Sequence, residues 1–181
     1  PNPNAMKFVV NKRIVNDIFE FKSLEETNDS PLAKSLFGFD FVKEVFFDFN
    51  FVSIIQKSEY DWQENVMDIR EFIRSFIQDN NTIVFEENIK KSKQVKKNIV
   101  YDDISKEIIK IIDENIKPAV ASDGGNILFE SYETDTKKVN VILQGACSGC
   151  PSSTITLKSG IETMLKDMLP GMISEVNAIN G

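Results

Sequence analysis

Short apolar runs of the kind that form β-strands occupy much of the first half of the chain. One lies over residues 6–10, and two more lie over residues 42–47 and 51–55. The intervening residues 48–50, Asp-Phe-Asn, suit a tight connection because aspartate and asparagine favour turns. The pattern therefore predicts a single strand followed by a β-hairpin.

Helical patterns alternate with these strands. Ser30 followed by Pro31 predicts a short helix, because serine caps helix N-termini and proline is favoured at the first helical position. After Asp61, large apolar side chains recur with the period of an amphipathic helix, whose apolar stripe would cover one face of the sheet. That stripe comprises Trp62, Val66, Ile69, Ile73, Phe76 and Ile77.

The second half of the chain predicts the element order α-β-β-α-β. A first helix begins at Asp102 or Asp103 and ends near Pro118, because proline is disfavoured inside a helix. The turn Asp123-Gly124-Gly125 follows it. The remaining elements are strands over residues 126–132 and 139–144, a helix over residues 152–169 and a strand over residues 173–179. One face of that last helix is apolar and comprises Leu157, Ile161, Met164, Leu165 and Met168.

Composition changes along the chain in a way that predicts two domains. Twelve of the 14 phenylalanines lie in residues 1–79, whereas seven of the eight glycines lie in residues 124–181. Residues 80–100 carry five basic and two acidic side chains and show little apolar periodicity. We therefore predict an α+β protein with two small mixed α/β domains, residues 1–79 and 101–181, joined by a flexible linker over residues 80–100.

Charge and composition exclude several classes of function. With 21 basic and 28 acidic side chains the net charge is -7, which disfavours binding of nucleic acid or anionic membranes through a broad basic face. The chain has no histidine, the commonest general base and zinc ligand, so most hydrolytic mechanisms lack their key group. No apolar run approaches the roughly 18 residues that span a bilayer. No motif supports catalysis, so we predict a non-enzymatic protein of an aqueous compartment.

The two cysteines of the chain, Cys147 and Cys150, lie where a predicted strand ends and a predicted helix begins. Thiols at this spacing on a turn can point in the same direction. The small residues Ser148 and Gly149 leave backbone N–H groups open to an anion, and a helix N-terminus favours thiolate over thiol. The segment therefore predicts a site that holds two thiolates.

Four interpretations of this C-x-x-C segment compete. Two buried cysteines acting as small apolar residues would leave the glycine-flanked turn unexplained. A dithiol oxidoreductase of the thioredoxin type also has C-x-x-C at a helix start, but after an early strand of its fold rather than late in the chain. Structural zinc needs four ligands in one closed site, which two cysteines without histidine cannot supply from one chain. The fourth interpretation is an iron–sulfur cluster, which soft thiolates favour.

The number of ligands decides how such a cluster would be bound. The common iron–sulfur clusters take four thiolates, whereas each chain supplies Cys147 and Cys150. Two chains must therefore meet at these residues, most simply across a twofold axis. A cluster shared in this way lies at a surface and is released when the chains separate, which suits a carrier better than a permanent electron-transfer protein.

The residues around the cysteines resemble a known family. Residues 145–154, Gly-Ala-Cys-Ser-Gly-Cys-Pro-Ser-Ser-Thr, resemble the NifU-like C-terminal domain. The resemblance extends to Pro118-Ala119-Val120 and Asp123-Gly124-Gly125 upstream, and to residues 157–162, Leu-Lys-Ser-Gly-Ile-Glu, downstream. Relatives often have aspartate directly after the two glycines, where this chain has Asn126.

The first domain resembles the N-terminal domain of Nfu-type scaffold proteins. The matching residues are the opening Pro-Asn-Pro-Asn and Lys7-Phe8, residues 30–33, Ser-Pro-Leu-Ala, residues 45–47, Val-Phe-Phe, and Asp61-Trp62. The two resemblances together cover nearly the whole chain apart from the linker.

The resemblance implies an iron–sulfur cluster scaffold or carrier. By position, Cys147 and Cys150 are the ligands of a [4Fe-4S] cluster shared by a homodimer, although four thiolates also fit a [2Fe-2S] cluster. The implied partners are upstream cluster-assembly proteins and client iron–sulfur apoproteins, and the implied location is the bacterial cytoplasm or, in a eukaryote, the mitochondrial matrix. The first domain would serve protein recognition. The alternative from another functional class is a dithiol oxidoreductase that uses the same two cysteines.

Overall fold

A computed structural model describes residues 2–93, 101–148 and 151–180, with the backbone alone at residues 90–93, 151–154 and 180. The protein is α+β, as predicted. It divides into two compact units, Pro3–Asn98 and Ile99–Gly181 with Pro1–Asn2, each with its own sheet and hydrophobic core. Within the described part of the chain, no helix has both the length and the apolar character needed to cross a membrane.

The first unit is built on a four-stranded antiparallel sheet. Its strands are β1 (Ala5–Val9), β2 (Phe19–Phe21), β3 (Val42–Asp48) and β4 (Phe51–Gln56), and its helices are α1 (Pro31–Leu36), α2 (Trp62–Gln78) and α3 (Glu86–Lys93). The spatial order of the strands is β1-β4-β3-β2. The predicted first strand and hairpin are both present. Strand β2 and a 3-10 helix over Leu24–Asp29 were not predicted, because elements this short show no clear period.

Both helix starts of this unit have side-chain caps, of which the one at Ser30 was predicted. The Ser30 hydroxyl accepts a hydrogen bond from the Ala33 N–H at 3.2 Å, and the Asp61 carboxylate accepts one from the Gln63 N–H at 2.9 Å. The predicted apolar stripe of α2 faces the core. Its buried members are Trp62, Ile69, Ile73 and Ile77.

Residues 80–93, predicted as the first part of the linker, instead fold with the first unit. Val84 is buried in the core of this unit, and the Phe85 N–H donates a hydrogen bond to the Asp29 carbonyl oxygen at 2.8 Å. The sequence did not indicate this packing. The run Ile83-Val84-Phe85 is too short to show a period, and the residues that it contacts are distant in sequence. The rest of the predicted linker, residues 94–100, lies outside the described residues.

The second unit has the predicted order α-β-β-α-β. Its elements are α4 (Asp103–Ile111), a π-helical segment (Ile112–Ile116), α5 (Lys117–Ser122), β5 (Gly125–Glu133), β6 (Lys138–Gly145), α6 (Pro151–Met168) and β7 (Glu175–Asn180). The sheet order is β5-β6-β7. Strands β5 and β6 form an antiparallel hairpin, whereas β6 and β7 are parallel and are connected through α6.

The first helical stretch of this unit continues past Pro118, contrary to the prediction that it ends there. Proline removes one backbone donor, and its ring crowds the preceding turn. The structure accommodates the ring with the wider turn of Ile112–Ile116, in which the Lys117 N–H bonds to the Ile112 carbonyl oxygen. The helix therefore extends to Ser122 and ends beside the start of β5.

The helices of the second unit cover one face of its sheet. The residues of β6 that face them alternate along the strand and are Val139, Val141 and Leu143. On α6, Ile161 and Leu165 are buried as predicted, but Met164 and Met168 are 37% and 50% exposed. The buried face of α6 is thus narrower than its sequence pattern indicates.

Candidate metal centre

The cysteine segment begins where β6 ends, opposite the start of β5. Gly125 and Gly145 are paired across the two strands, and Gly145 leaves β6 with a φ of 60°. The Ala146 N–H donates a hydrogen bond to the Gly124 carbonyl oxygen at 3.2 Å, and Gly124 has a φ of 85°. Glycine adopts these left-handed conformations without a steric cost. The two glycine turns therefore hold the beginning of the cysteine segment against the beginning of β5.

Cys147 lies in a tight turn that its neighbours close with hydrogen bonds. The Cys147 N–H donates to the Gln144 carbonyl oxygen at 3.4 Å. The N–H and the hydroxyl of Ser148 both donate to the Gly145 carbonyl oxygen, at 3.0 and 2.9 Å. Cys147 and Ser148 are both buried. The Ser148 hydroxyl therefore contributes to the shape of the turn that presents the thiol.

The Cys147 thiol is protonated at neutral pH. Burial of the side chain, and after it the negative charge of Asp123, raise the pKa of the thiol from 9.0 to about 11. For the free thiol this direction is opposite to the one expected from a helix N-terminus alone. Cys147 instead belongs to the turn before α6 and packs in the hydrophobic core of the second unit.

An apolar cavity of about 580 Å³ adjoins Cys147. Ile116 and Val120 line it from the first helical stretch of the unit, and Leu157 and Ile161 line it from α6. Apolar walls of this kind lower the local dielectric, which disfavours a charged sulfur. The cavity therefore gives a physical basis for the raised pKa of the thiol.

Cys150, the second predicted ligand, lies outside the described residues. In the sequence it directly precedes Pro151, the first residue of α6. Among residues 2–93, 101–148 and 151–180, no group of three or more histidine, cysteine, aspartate or glutamate side chains is arranged to hold a metal ion. Cys147 is a free cysteine. The assignment of both cysteines as ligands stays a prediction.

Three residues before and within β5 help to form the site in ways that the sequence pattern did not reveal. Asp123 acts on the thiol through its charge, and Gly125 lies against the Cys147 side chain. Asn126 is buried, and its side-chain N–H donates a hydrogen bond to the Gln144 Oε1 at 2.9 Å. The Asp-Gly-Gly turn was recognised as a turn, but only the pairing of β5 with β6 brings it to the cysteine.

Two family models match the chain. The one described as "Scaffold protein Nfu/NifU N terminal" matches residues 1–80, and the one described as "NifU-like domain" matches residues 108–176. The chain belongs to the Nfu-type family of NifU-like proteins. The resemblance stated from the sequence is thereby confirmed.

Nfu-type relatives from three kingdoms align with almost all of this chain. A human relative, named "NFU1 iron-sulfur cluster scaffold homolog, mitochondrial", is 34% identical over 172 residues, which are 94% of this chain and 66% of that protein. "NifU-like protein 5, mitochondrial" of Arabidopsis thaliana is 32% identical over 99% of this chain and 64% of its own length. "NifU-like protein C1709.19c" of Schizosaccharomyces pombe is 30% identical over 183 residues, which are 99% of this chain and 70% of that protein. The chain thus spans less than two thirds of the length of the human and plant relatives.

Proposed function

We propose that this Nfu-type chain is an iron–sulfur cluster scaffold that binds one cluster between two copies and passes it to client apoproteins. The human relative is named as an iron-sulfur cluster scaffold homolog. The observation that carries the proposal is the ligand count: Cys147 and Cys150 are the two cysteines of the chain, which has no histidine. A cluster with four thiolate ligands therefore takes two ligands from each of two chains.

The environment of Cys147 supports a cluster that is bound reversibly. Binding to iron requires loss of the thiol proton, whereas burial and the negative charge of Asp123 favour the protonated thiol. A ligand whose protonated form is favoured gives up iron more readily when the thiolates of a client compete for it. Burial of the Cys147 side chain limits access of water to the sulfur before transfer. These two properties suit a protein that delivers its cargo.

The cargo that we propose is a [4Fe-4S] cluster. Both [4Fe-4S] and [2Fe-2S] clusters take four thiolates, so the ligand count fits either type. The preference for [4Fe-4S] follows from the family resemblance. Iron and sulfide content per chain distinguishes the two, because the larger cluster carries twice as much of each.

We propose that the first unit serves protein recognition and that the chain has no enzymatic activity. Residues 1–79 contain nine basic and 14 acidic side chains but no cysteine and no histidine, so this part of the chain offers charge without soft metal ligands. Its partners would be cluster-assembly proteins and client apoproteins. The human and Arabidopsis relatives are named as mitochondrial. The corresponding location of this chain is the mitochondrial matrix in a eukaryote or the cytoplasm in a bacterium.

Anaerobic reconstitution with iron and sulfide tests the proposal. The expected product is a brown dimer with roughly two iron and two sulfide atoms per chain, whereas the apoprotein sediments as a monomer. Cys147→Ala and Cys150→Ala should each abolish cluster binding and cluster-dependent dimerisation. Ser159→Ala, at an exposed position of α6, is the matched control and should load like the wild type.

Two results would contradict the shared-cluster proposal. One is a complete cluster on a monomer, and the other is a full cluster on either cysteine variant. A colourless protein that catalyses disulfide reduction would instead indicate the dithiol oxidoreductase. The raised pKa of Cys147 does not favour that alternative, because a redox-active cysteine of this type reacts as a thiolate.

A further inference from the structure

Gly125 lies directly against the Cys147 side chain. A Cβ atom on Gly125 would be 2.5 Å from the Cys147 Sγ, 2.8 Å from the Gln144 carbonyl oxygen and 3.0 Å from the Cys147 backbone nitrogen. Non-bonded heavy atoms prefer separations of roughly 3.5 to 4.0 Å. Any side chain at this position would therefore push the sulfur away from β5 by roughly 1 Å.

The backbone conformation of Gly125 does not explain why this residue is glycine. Gly124 and Gly145 have positive φ angles, for which glycine is favoured, but Gly125 does not. It is paired in regular antiparallel register with Gly145. Glycine within a strand is unfavourable, because it loses more conformational entropy than other residues and has no side chain to pack. The remaining reason is lack of space, because a Cβ atom would meet the Cys147 sulfur most closely and, after it, the backbone atoms of Gln144 and Cys147.

We propose that Gly125 is a positioning residue for the cluster, because its missing side chain sets where the Cys147 sulfur lies. The inference rests on the proposed function, in which this sulfur is bonded to iron. Ligand sites require their groups to be held to within about 0.5 Å, and a displacement of roughly twice that distance exceeds this tolerance. The Cα of Gly125 provides the surface against which the sulfur is held.

Replacement of Gly125 by alanine tests the role in cluster binding. We expect Gly125→Ala to lower the cluster content of the reconstituted protein several-fold and to change the visible circular dichroism of the cluster that remains. The matched control is Gly160→Ala on α6, which lines the same cavity, but where a Cβ atom would meet nothing within 4 Å. The control should load like the wild type. Wild-type cluster content and spectrum in Gly125→Ala would overturn the proposal.

A double-mutant cycle in the apoprotein tests the contact itself and needs no cluster. We expect Gly125→Ala to lower the melting temperature in the wild-type background and to lower it by less than half as much in the Cys147→Ala background, where the sulfur is absent. An equal loss in both backgrounds would show that the backbone contacts alone exclude a side chain, which would overturn the proposal. Should Gly125→Ala not fold, recovery of folding in the double variant supports the contact, and failure to recover opposes it.

The two experiments separate this inference from the function on which it rests. If the wild-type protein binds no cluster, the proposed function fails, whereas the cycle still reports whether the Gly125 contact acts through the sulfur. If the wild type binds a cluster and the cycle shows no coupling, the scaffold function stands and the positioning role of Gly125 is wrong.

Discussion

Cys147 holds its proton under the combined influence of its own burial and the charge of Asp123, which raise the pKa of the thiol to about 11. The folded protein therefore binds this proton more tightly than the unfolded chain. The resulting stabilisation is fully present below about pH 9 and is lost as the pH rises towards 11. This thiol is thus expected to contribute to a fall in the stability of the apoprotein over this range.

Urea unfolding of reduced apoprotein at about pH 8 and about pH 10.5 measures this effect. The free energy of unfolding of the wild type should decline by about 2 kcal/mol more than that of Cys147→Ser, which has no thiol at this position. Asp123→Asn should show a smaller decline than the wild type, because it removes one of the two causes of the shift. An identical pH dependence in the wild type and Cys147→Ser would contradict the raised pKa.

A second prediction concerns the buried amide pair of Asn126 and Gln144. Asn126→Asp alone should destabilise the second unit, because it places a carboxylate at a buried position, and the Gln144 amide offsets part of this cost by rotating to donate its own N–H. Combined with Gln144→Glu, the same change places two acceptors opposite each other without a donor. We expect the double variant to lose about 1 to 3 kcal/mol beyond the sum of the single changes at neutral pH.

Acidification provides the control for this pair. Protonation of one carboxyl group restores a donor, so the extra loss in the double variant should largely disappear at about pH 4. Urea unfolding of the four proteins at both pH values makes the comparison. Additive effects at neutral pH would show that the hydrogen bond between the two side chains does not contribute.

A third prediction distinguishes two adjacent aspartates at the start of α4. The Asp102 carboxylate accepts a hydrogen bond from the Ser105 N–H at 2.7 Å, whereas Asp103 is solvent-exposed and pairs with Lys106. Asp102→Ala should destabilise the second unit by about 1 kcal/mol, because a helix cap is lost. Asp103→Ala should have no measurable effect. Thermal unfolding followed by circular dichroism tests both, and equal losses would contradict the assignment of Asp102 as the cap.

A fourth prediction tests the packing of the segment after α2. Val84 is buried in the core of the first unit, so Val84→Asp should destabilise that unit by about 2 kcal/mol or more. Trp62 is the single tryptophan of the chain and is buried in the same core, so its fluorescence reports unfolding of this unit. Asn81→Asp, at an exposed position of the same segment, is the control. An unchanged urea midpoint for Val84→Asp would show that the segment behaves as the linker first predicted.

Local patterns in the sequence predicted most elements of both units. The cap of α1 and the apolar stripe of α2 depend on residues within a few positions of one another, so they are visible in the sequence alone. The same holds for the C-x-x-C spacing and for the count of two cysteines, on which the shared-cluster proposal rests. The prediction that the helix ends near Pro118 was wrong, because a helix can continue past a proline when the preceding turn widens to a π-helix.

The properties of the cysteine site depend instead on strand pairing. The amino-acid pattern alone placed two cysteines between a strand and a helix, and it suggested thiolates there. The pairing of β5 with β6 brings Gly125 against the Cys147 sulfur, and the fold places Asp123 where its charge acts on that thiol. Burial and close contacts are set by residues that are far apart in the chain. For this reason only the tertiary structure showed that Cys147 is held as a buried, protonated thiol.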